Sequence, residues 1–100
     1  MISTKRIVLS LIFTFFAANS SAQLNVIISG GLAAAYQDLL PEFVSANEIE
    51  VETGRGGSVG DSPRAIPNQL ARGVEADVII LARPGPEEIR KHGRIVDGSD

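Results

Sequence analysis

Apolar runs and alternating stretches divide the chain beyond its first two dozen residues into three predicted strands. Residues 24–28 and 76–81 are almost continuously apolar, which is typical of strands buried on both faces of a parallel sheet. Residues 49–53 alternate between apolar and polar side chains, which is typical of an edge strand. We therefore expect strands at these three places.

A helix is predicted between the first two strands, starting near Gly31 and ending at residues 46–47. Pro41 falls inside it and should bend it, because proline removes one backbone hydrogen bond. The apolar positions that recur at helical spacing are Leu32, Tyr36, Leu39 and Phe43. We expect these four to form the buried face, with Tyr36 in the core.

Two shorter helices are predicted further along. The second begins either at the capping sequence of residues 61–63 or at Pro67, and Gly73 ends it. The third opens at residues 86–88, where acidic side chains suit the helix dipole, and Gly93 ends it. Residues 94–96 are predicted to begin an extended segment.

The alternation of strands and helices predicts a three-layer α/β/α fold around a parallel sheet. We expect the strand order 2-1-3, with the first two helices on opposite faces. The loops after strands 1 and 2 then meet at a topological switch point, where open α/β sheets bind ligands.

The N-terminal residues predict a cleavable signal peptide spanning residues 1–22. Lys5 and Arg6 precede the apolar stretch 7–18, and small residues end at Ala22. An uncleaved N-terminal anchor is the alternative. Cleavage after Ala22 leaves residues 23–100 as the mature part of a periplasmic or secreted protein. Because no helix or strand ends naturally at residues 97–100, we expect a fragment of a longer protein.

Composition narrows the function classes. The 100 residues carry a net charge of −3, one Tyr and no Trp, which argues against nucleic-acid binding because phosphate needs cations and bases need stacking partners. The absence of Cys excludes a lipid-anchored cysteine, and a single His without Cys provides no metal-ligand cluster.

The two loops at the switch point supply groups that suit an anion. A helix start offers free N–H groups, and small residues let the backbone approach a ligand closely. The alternatives are that the glycines only form tight turns and that Arg55 is a solvated loop residue. The candidate binding residues are Ser29, Gly30, Gly31, Arg55, Gly57, Ser58 and Val59.

Two enzymatic alternatives remain open. Residues 56–60 fit the G-x-S-x-G pattern of an α/β-hydrolase, which makes Ser58, Asp77 and His92 the triad of a secreted esterase. Otherwise, Asp77 pairs with loop N–H groups and His92 suits the end of the third helix. A dinucleotide-binding protein would use Glu50 or Glu52 to hold a ribose, although G-x-G-x-x-G is absent.

The chain resembles the periplasmic solute-binding proteins of molybdate-type ABC transporters, which have the type 2 periplasmic binding fold. The resemblance spans nearly all of residues 23–100 and implies that they are the N-terminal part of lobe 1 of a solute-binding domain. The stretches that carry it are Val26-Ile27-Ile28-Ser29-Gly30-Gly31-Leu32, Gly56-Gly57-Ser58, Gln69-Leu70-Ala71-Arg72-Gly73 and Ala76-Asp77-Val78-Ile79-Ile80.

This resemblance implies two lobes that enclose an oxyanion such as molybdate and deliver it to a membrane permease. It implies a monomer that performs no chemistry and needs no cofactor. The family pattern places one Ser donor where this chain has Gly31 and a second where it has Ser58. Arg55 is additional, so a larger anion or a carboxylate fits as well as molybdate.

Overall fold

A parallel three-stranded sheet forms the centre of the computed structural model, which describes residues 22–100. The strands β1 (Gln23–Ile28), β2 (Glu50–Arg55) and β3 (Val78–Ile80) lie in the order β2-β1-β3. The predicted α/β fold and strand order are therefore confirmed. The predicted signal peptide lies outside the described residues, apart from Ala22. Within residues 22–100, no helix has the length and apolarity required to cross a membrane.

Strand β2 extends further than its sequence pattern predicts. Gly54 and Arg55, which the sequence placed in a loop, pair with Ile27 and Ile28 of β1. The backbone ladder to a central strand outweighs the low strand preference of glycine. At the amino ends of β1 and β2, the Glu50 N–H donates to the Ala22 carbonyl at 3.1 Å, and the Gln23 side-chain amide donates to Glu52 at 2.6 Å.

The first helix begins with a 3₁₀ turn (Gly30–Leu32) and continues as α1 (Ala33–Asn47), with Pro41 inside it as predicted. The bend at Pro41 stays a prediction. Glu48 ends the helix in the left-handed conformation, at φ 49°.

The later helices are α2 (Ile66–Ala71) and α3 (Gly85–Lys91). Helix α2 starts beside Pro67, as the second alternative predicted, and the start at residues 61–63 is wrong. Ser62 there forms a turn instead, because its carbonyl and hydroxyl accept from the N–H groups of Ala65 and Arg64. Residues 94–96 form no strand within the described chain.

The helices cover both faces of the sheet. Ile27 packs with Ile66 of α2 and Ile89 of α3, and all three are at least 97% buried. On the other face, the Tyr36 hydroxyl of α1 lies 2.6 Å from the Thr53 hydroxyl of β2. Side chains alternate along a strand, so Thr53 and Ile27 belong to opposite faces. The predicted placement of the first two helices is confirmed.

The predicted buried face of α1 is partly wrong. Leu32, Leu39 and Phe43 are 47%, 66% and 44% exposed. Tyr36 is half-buried, and the other positions turned inward are Ala33, Leu40 and Val44. Small Ala33 lets the start of the helix approach the sheet, so the buried stripe is rotated relative to the one that the larger apolar side chains suggest.

Candidate functional site at the carboxyl edge of the sheet

Three hydrogen bonds join the loops that follow the three strands. The Ser29 N–H donates to the Ile80 carbonyl at 2.8 Å, and the Gly56 N–H donates to the Ile28 carbonyl at 3.3 Å. The Ala82 N–H donates to the Ser58 hydroxyl oxygen at 2.9 Å. The loops after β1, β2 and β3 therefore lie side by side at the carboxyl edge of the sheet, which is where open α/β sheets bind ligands.

The loop after β1 has N–H and hydroxyl donors that are available to a ligand. Ser29 is 94% buried, and its side chain makes no capping hydrogen bond. The N–H groups of Gly30 and Gly31 have no hydrogen-bond partner within residues 22–100. Neither glycine has a positive φ, and a Cβ on either would meet open space. The turn therefore does not require glycine here, and the space above these residues is open.

The loop between β2 and α2 is held by side chains of α2. The Gln69 amide donates to the carbonyls of Arg55 and Arg64, at 2.8 and 2.7 Å. The Asn68 amide donates to the carbonyls of Gly60 and Ser62, at 2.9 and 2.8 Å. These side chains hold both ends and the middle of the loop against the helix. Neither residue was predicted from the sequence, although two adjacent amide side chains directly after a helix-opening Pro67 are a usable signal.

The same loop leaves its N–H groups free. The N–H groups of residues 57–61 have no hydrogen-bond partner among the described residues. The Gly57 carbonyl accepts from the Ile66 N–H at 2.8 Å, which points the Gly57–Ser58 peptide carbonyl towards α2. Because the N–H and C=O of a trans peptide point in opposite directions, the Ser58 N–H points away from α2.

Gly56 is required for packing. A Cβ at this position would overlap the Arg64 carbonyl oxygen and would lie 2.6 Å from the Gln69 amide nitrogen. The close approach of the two ends of the loop therefore depends on glycine.

The remaining candidate side chains differ in what they offer. The half-buried Ser58 hydroxyl accepts from Ala82 and keeps its own hydrogen for donation. Arg55 is exposed at the end of β2 and makes no ion pair within residues 22–100. Val59 is 47% exposed and lines a groove of about 480 Å³ between α2 and α3, so it offers the edge only its N–H.

Two further arginines form ion pairs, one beside the carboxyl edge and one elsewhere on the molecule. Arg83 follows Ala82, and its guanidinium lies 3.5 Å from the Glu87 carboxylate in an exposed ion pair. On the far side of α3, the Arg90 guanidinium beside Asp100 holds the pKa of that carboxyl below its ordinary value. Residues 22–100 contain no group of three side chains that could hold a metal ion.

The esterase triad is not assembled. Ser58 contacts Ala82, whereas the Asp77 carboxylate accepts from the Asn25 N–H at 2.8 Å. His92 lies at the end of α3, with Nε2 3.8 Å from the Glu88 carboxylate. A nucleophile elbow also needs a helix directly after the serine, but α2 begins only at Ile66. Asp77 therefore binds a strand N–H rather than the loop N–H that we expected.

The dinucleotide alternative fails on position. Glu50 is the first residue of β2, and Glu52 accepts from Gln23 near the amino end of β1. Both carboxylates therefore lie towards the edge opposite the one where a ribose would bind.

Comparison with curated proteins gives one informative relative. An aconitate isomerase from Pseudomonas sp. is 30% identical over 83 residues, which cover 83% of this chain and 32% of that protein. The chain thus spans about a third of the length of this relative. No solved structure matches the chain. The expectation of a protein that performs no chemistry is contradicted, because this relative is an enzyme.

The family comparison covers nearly all of the described residues. The family model described as bacterial extracellular solute-binding protein matches residues 24–100. This stretch contains the sheet, its helices and both donor loops. The chain belongs to the bacterial extracellular solute-binding protein family.

Proposed function

We propose that the carboxyl edge of the sheet binds a small anion, through Ser29, Gly30, Gly31, Arg55, Gly57, Ser58 and Val59. The observation that carries this proposal is the pair of neighbouring loops, one after β1 and one after β2, whose N–H groups have no partner within residues 22–100. Two hydroxyls and one guanidinium accompany them.

Donor groups from two neighbouring loops define the chemistry of this edge. A fully ionised anion carries only acceptors, so each N–H or O–H that reaches it forms a charge-assisted hydrogen bond. Five loop carbonyls, those of residues 55, 57, 60, 62 and 64, accept hydrogen bonds from Gln69, Asn68 or the Ile66 N–H and are thereby kept from repelling an anion. This separation of donors from acceptors supports an anion over a neutral solute.

A carboxylate is the ligand class that we favour. The relative is named for aconitate, which is a tricarboxylate. Arg55 presents a planar donor pair that matches a carboxylate, and the position of Gly31 lacks the hydroxyl expected for molybdate. Molybdate is the alternative ligand that the same donor set would accept.

Two roles follow for an anion-binding protein of this family. Family membership implies a location outside the cytoplasm, a small ligand and, in general, a transporter as partner. We propose delivery of the carboxylate to the permease of an ABC transporter. The second candidate, favoured by the isomerase relative, is isomerisation of the bound carboxylate.

Calorimetric titration of the full-length gene product with trans-aconitate, cis-aconitate and molybdate tests the ligand class. We expect the carboxylates to bind more tightly than molybdate. Ser58→Ala should weaken binding by about 1–3 kcal/mol, because a hydrogen bond to a charged ligand is lost. Ser45→Ala, on the exposed part of α1, is the matched control and should bind normally. Normal binding by Ser58→Ala would remove Ser58 from the site.

An activity assay separates the two roles. The protein is incubated with cis-aconitate, and formation of the trans isomer is followed by proton NMR. Turnover would support the isomerase, whereas tight binding without turnover would support transport.

A further inference from the structure

We propose that Gln69 and Asn68 are positioning residues of the anion site, holding the carbonyls of the β2–α2 loop so that its free N–H groups turn towards the ligand. This proposal rests on the proposed function. Neither side chain needs to touch the anion, because each acts through the backbone that it holds.

Gln69 controls both ends of the loop with a single nitrogen. Its Nε2 donates to the Arg55 carbonyl at 2.8 Å and to the Arg64 carbonyl at 2.7 Å. The Arg55–Gly56 peptide is thereby held from two sides, because its N–H donates to the Ile28 carbonyl at 3.3 Å. Gly56 has no side chain, which allows the Gln69 amide to lie this close to the loop.

Asn68 controls the outer part of the loop. Its Nδ2 donates to the carbonyls of Gly60 and Ser62, at 2.9 and 2.8 Å. The Gly60–Asp61 peptide therefore directs its carbonyl to α2 and its N–H away from α2. The Gly57 carbonyl is oriented in the same sense by the Ile66 N–H.

These contacts sort the loop into two sides. The carbonyl oxygens of residues 55, 57, 60, 62 and 64 are held by the side-chain amides of α2 and by the N–H at its start, while the N–H groups of residues 57–61 lack partners within the described chain. A loop without these amides could turn its carbonyls outward, where they would repel an anion. Preorganised donors avoid this cost when the ligand binds.

The test compares two glutamines that each donate hydrogen bonds. Gln69→Leu removes the donor from the loop, and Gln23→Leu removes the donor to Glu52 at the opposite edge of the sheet. Both variants of the full-length gene product are titrated with trans-aconitate. We expect Gln69→Leu to bind trans-aconitate roughly tenfold more weakly, which corresponds to the loss of one oriented hydrogen bond. Gln23→Leu should bind it normally.

Backbone amide NMR gives a readout that a loss of stability alone would not change. Trans-aconitate should shift the amide signals of Gly30, Gly31 and residues 57–61 in the unmodified protein. In Gln69→Leu, the shifts at residues 57–59 should shrink while those at Gly30 and Gly31 persist. If Gln69→Leu does not fold, Asn68→Ala, which keeps the Gln69 contacts, should reduce the shifts at Gly60 and Asp61.

The outcomes separate the two proposals. Unchanged affinity and unchanged shifts in a folded Gln69→Leu or Asn68→Ala protein would overturn the positioning role and leave the anion site intact. An unmodified protein that binds none of the three anions would overturn the proposed function and, with it, this inference.

Discussion

The glycines at the carboxyl edge differ in whether packing requires them. Gly56 is enclosed by the Arg64 carbonyl and the Gln69 amide, so the fold requires it. Gly30 and Gly31 face open space with ordinary backbone angles, so packing does not require them. The sequence cannot distinguish these cases, because Gly30-Gly31 and Gly56-Gly57 both follow a strand within two residues. Only the contacts of the folded chain separate a structural glycine from one that leaves room for a ligand.

Alanine substitution should separate the two kinds of glycine. Gly56→Ala should lower the free energy of unfolding by about 1–3 kcal/mol, because the new methyl group overlaps backbone. Gly30→Ala should change it by no more than about 0.5 kcal/mol, yet weaken anion binding by narrowing the site. Urea unfolding and calorimetric titration of both variants measure this. If the Gly30→Ala protein bound the anion with full affinity, the ligand would not occupy the open space beside Gly30.

The sequence predicted the type and order of the helices and strands. It did not predict where β2 ends or which face of α1 is buried. Strong apolar runs identified β1 and β3, and proline with acidic residues identified the start of α3. The sequence missed the last two residues of β2, because the partner strand rather than local preference makes Gly54 extended. It also selected the larger apolar side chains of α1, while small Ala33 sets the true contact.

The contact between α1 and β2 should depend on the pair of hydroxyls that joins them. Tyr36→Phe removes one partner of the 2.6 Å hydrogen bond to Thr53 and should lower the free energy of unfolding by about 1 kcal/mol. Thr53→Val should cost a similar amount, and the double variant should cost less than the sum. Additive losses in urea unfolding would show that the two hydroxyls do not interact.

At the scale of the whole molecule, the proposed anion site lies on an acidic chain. The net charge of −3 opposes anion binding at long range, so the donors at the sheet edge must act locally. The switch point could be predicted from strand order alone, because parallel strands with helices on both faces admit few arrangements. The hydrogen bonds from α2 to the β2–α2 loop could not be predicted, because the periodicity of apolar positions carries no information about side-chain hydrogen bonds.

The small core should make the whole fold sensitive to a single cavity. Ile66 is fully buried and joins α2 to Ile27 of the sheet and Ile89 of α3. Ile66→Ala should lower the free energy of unfolding by about 2–5 kcal/mol, a large share of the stability of a small domain. Val96→Ala, at a position 78% exposed, is the control and should change little. Equal melting curves for the two variants would contradict this assignment of the core.

The predicted signal peptide, if cleaved after Ala22, would link export to folding at the start of β1. Gln23 is the first residue of the central strand and would become the N-terminus after cleavage at Ala22. Its new ammonium group would then lie beside Glu50, its register partner, and Glu52, which already accepts from its side chain. The uncleaved precursor has a neutral peptide there and lacks this ion pair. Removal of the predicted leader would add this ion pair and take away the Ala22 carbonyl that accepts from the Glu50 N–H, so the start of the sheet would take its final form only after the chain has crossed the membrane.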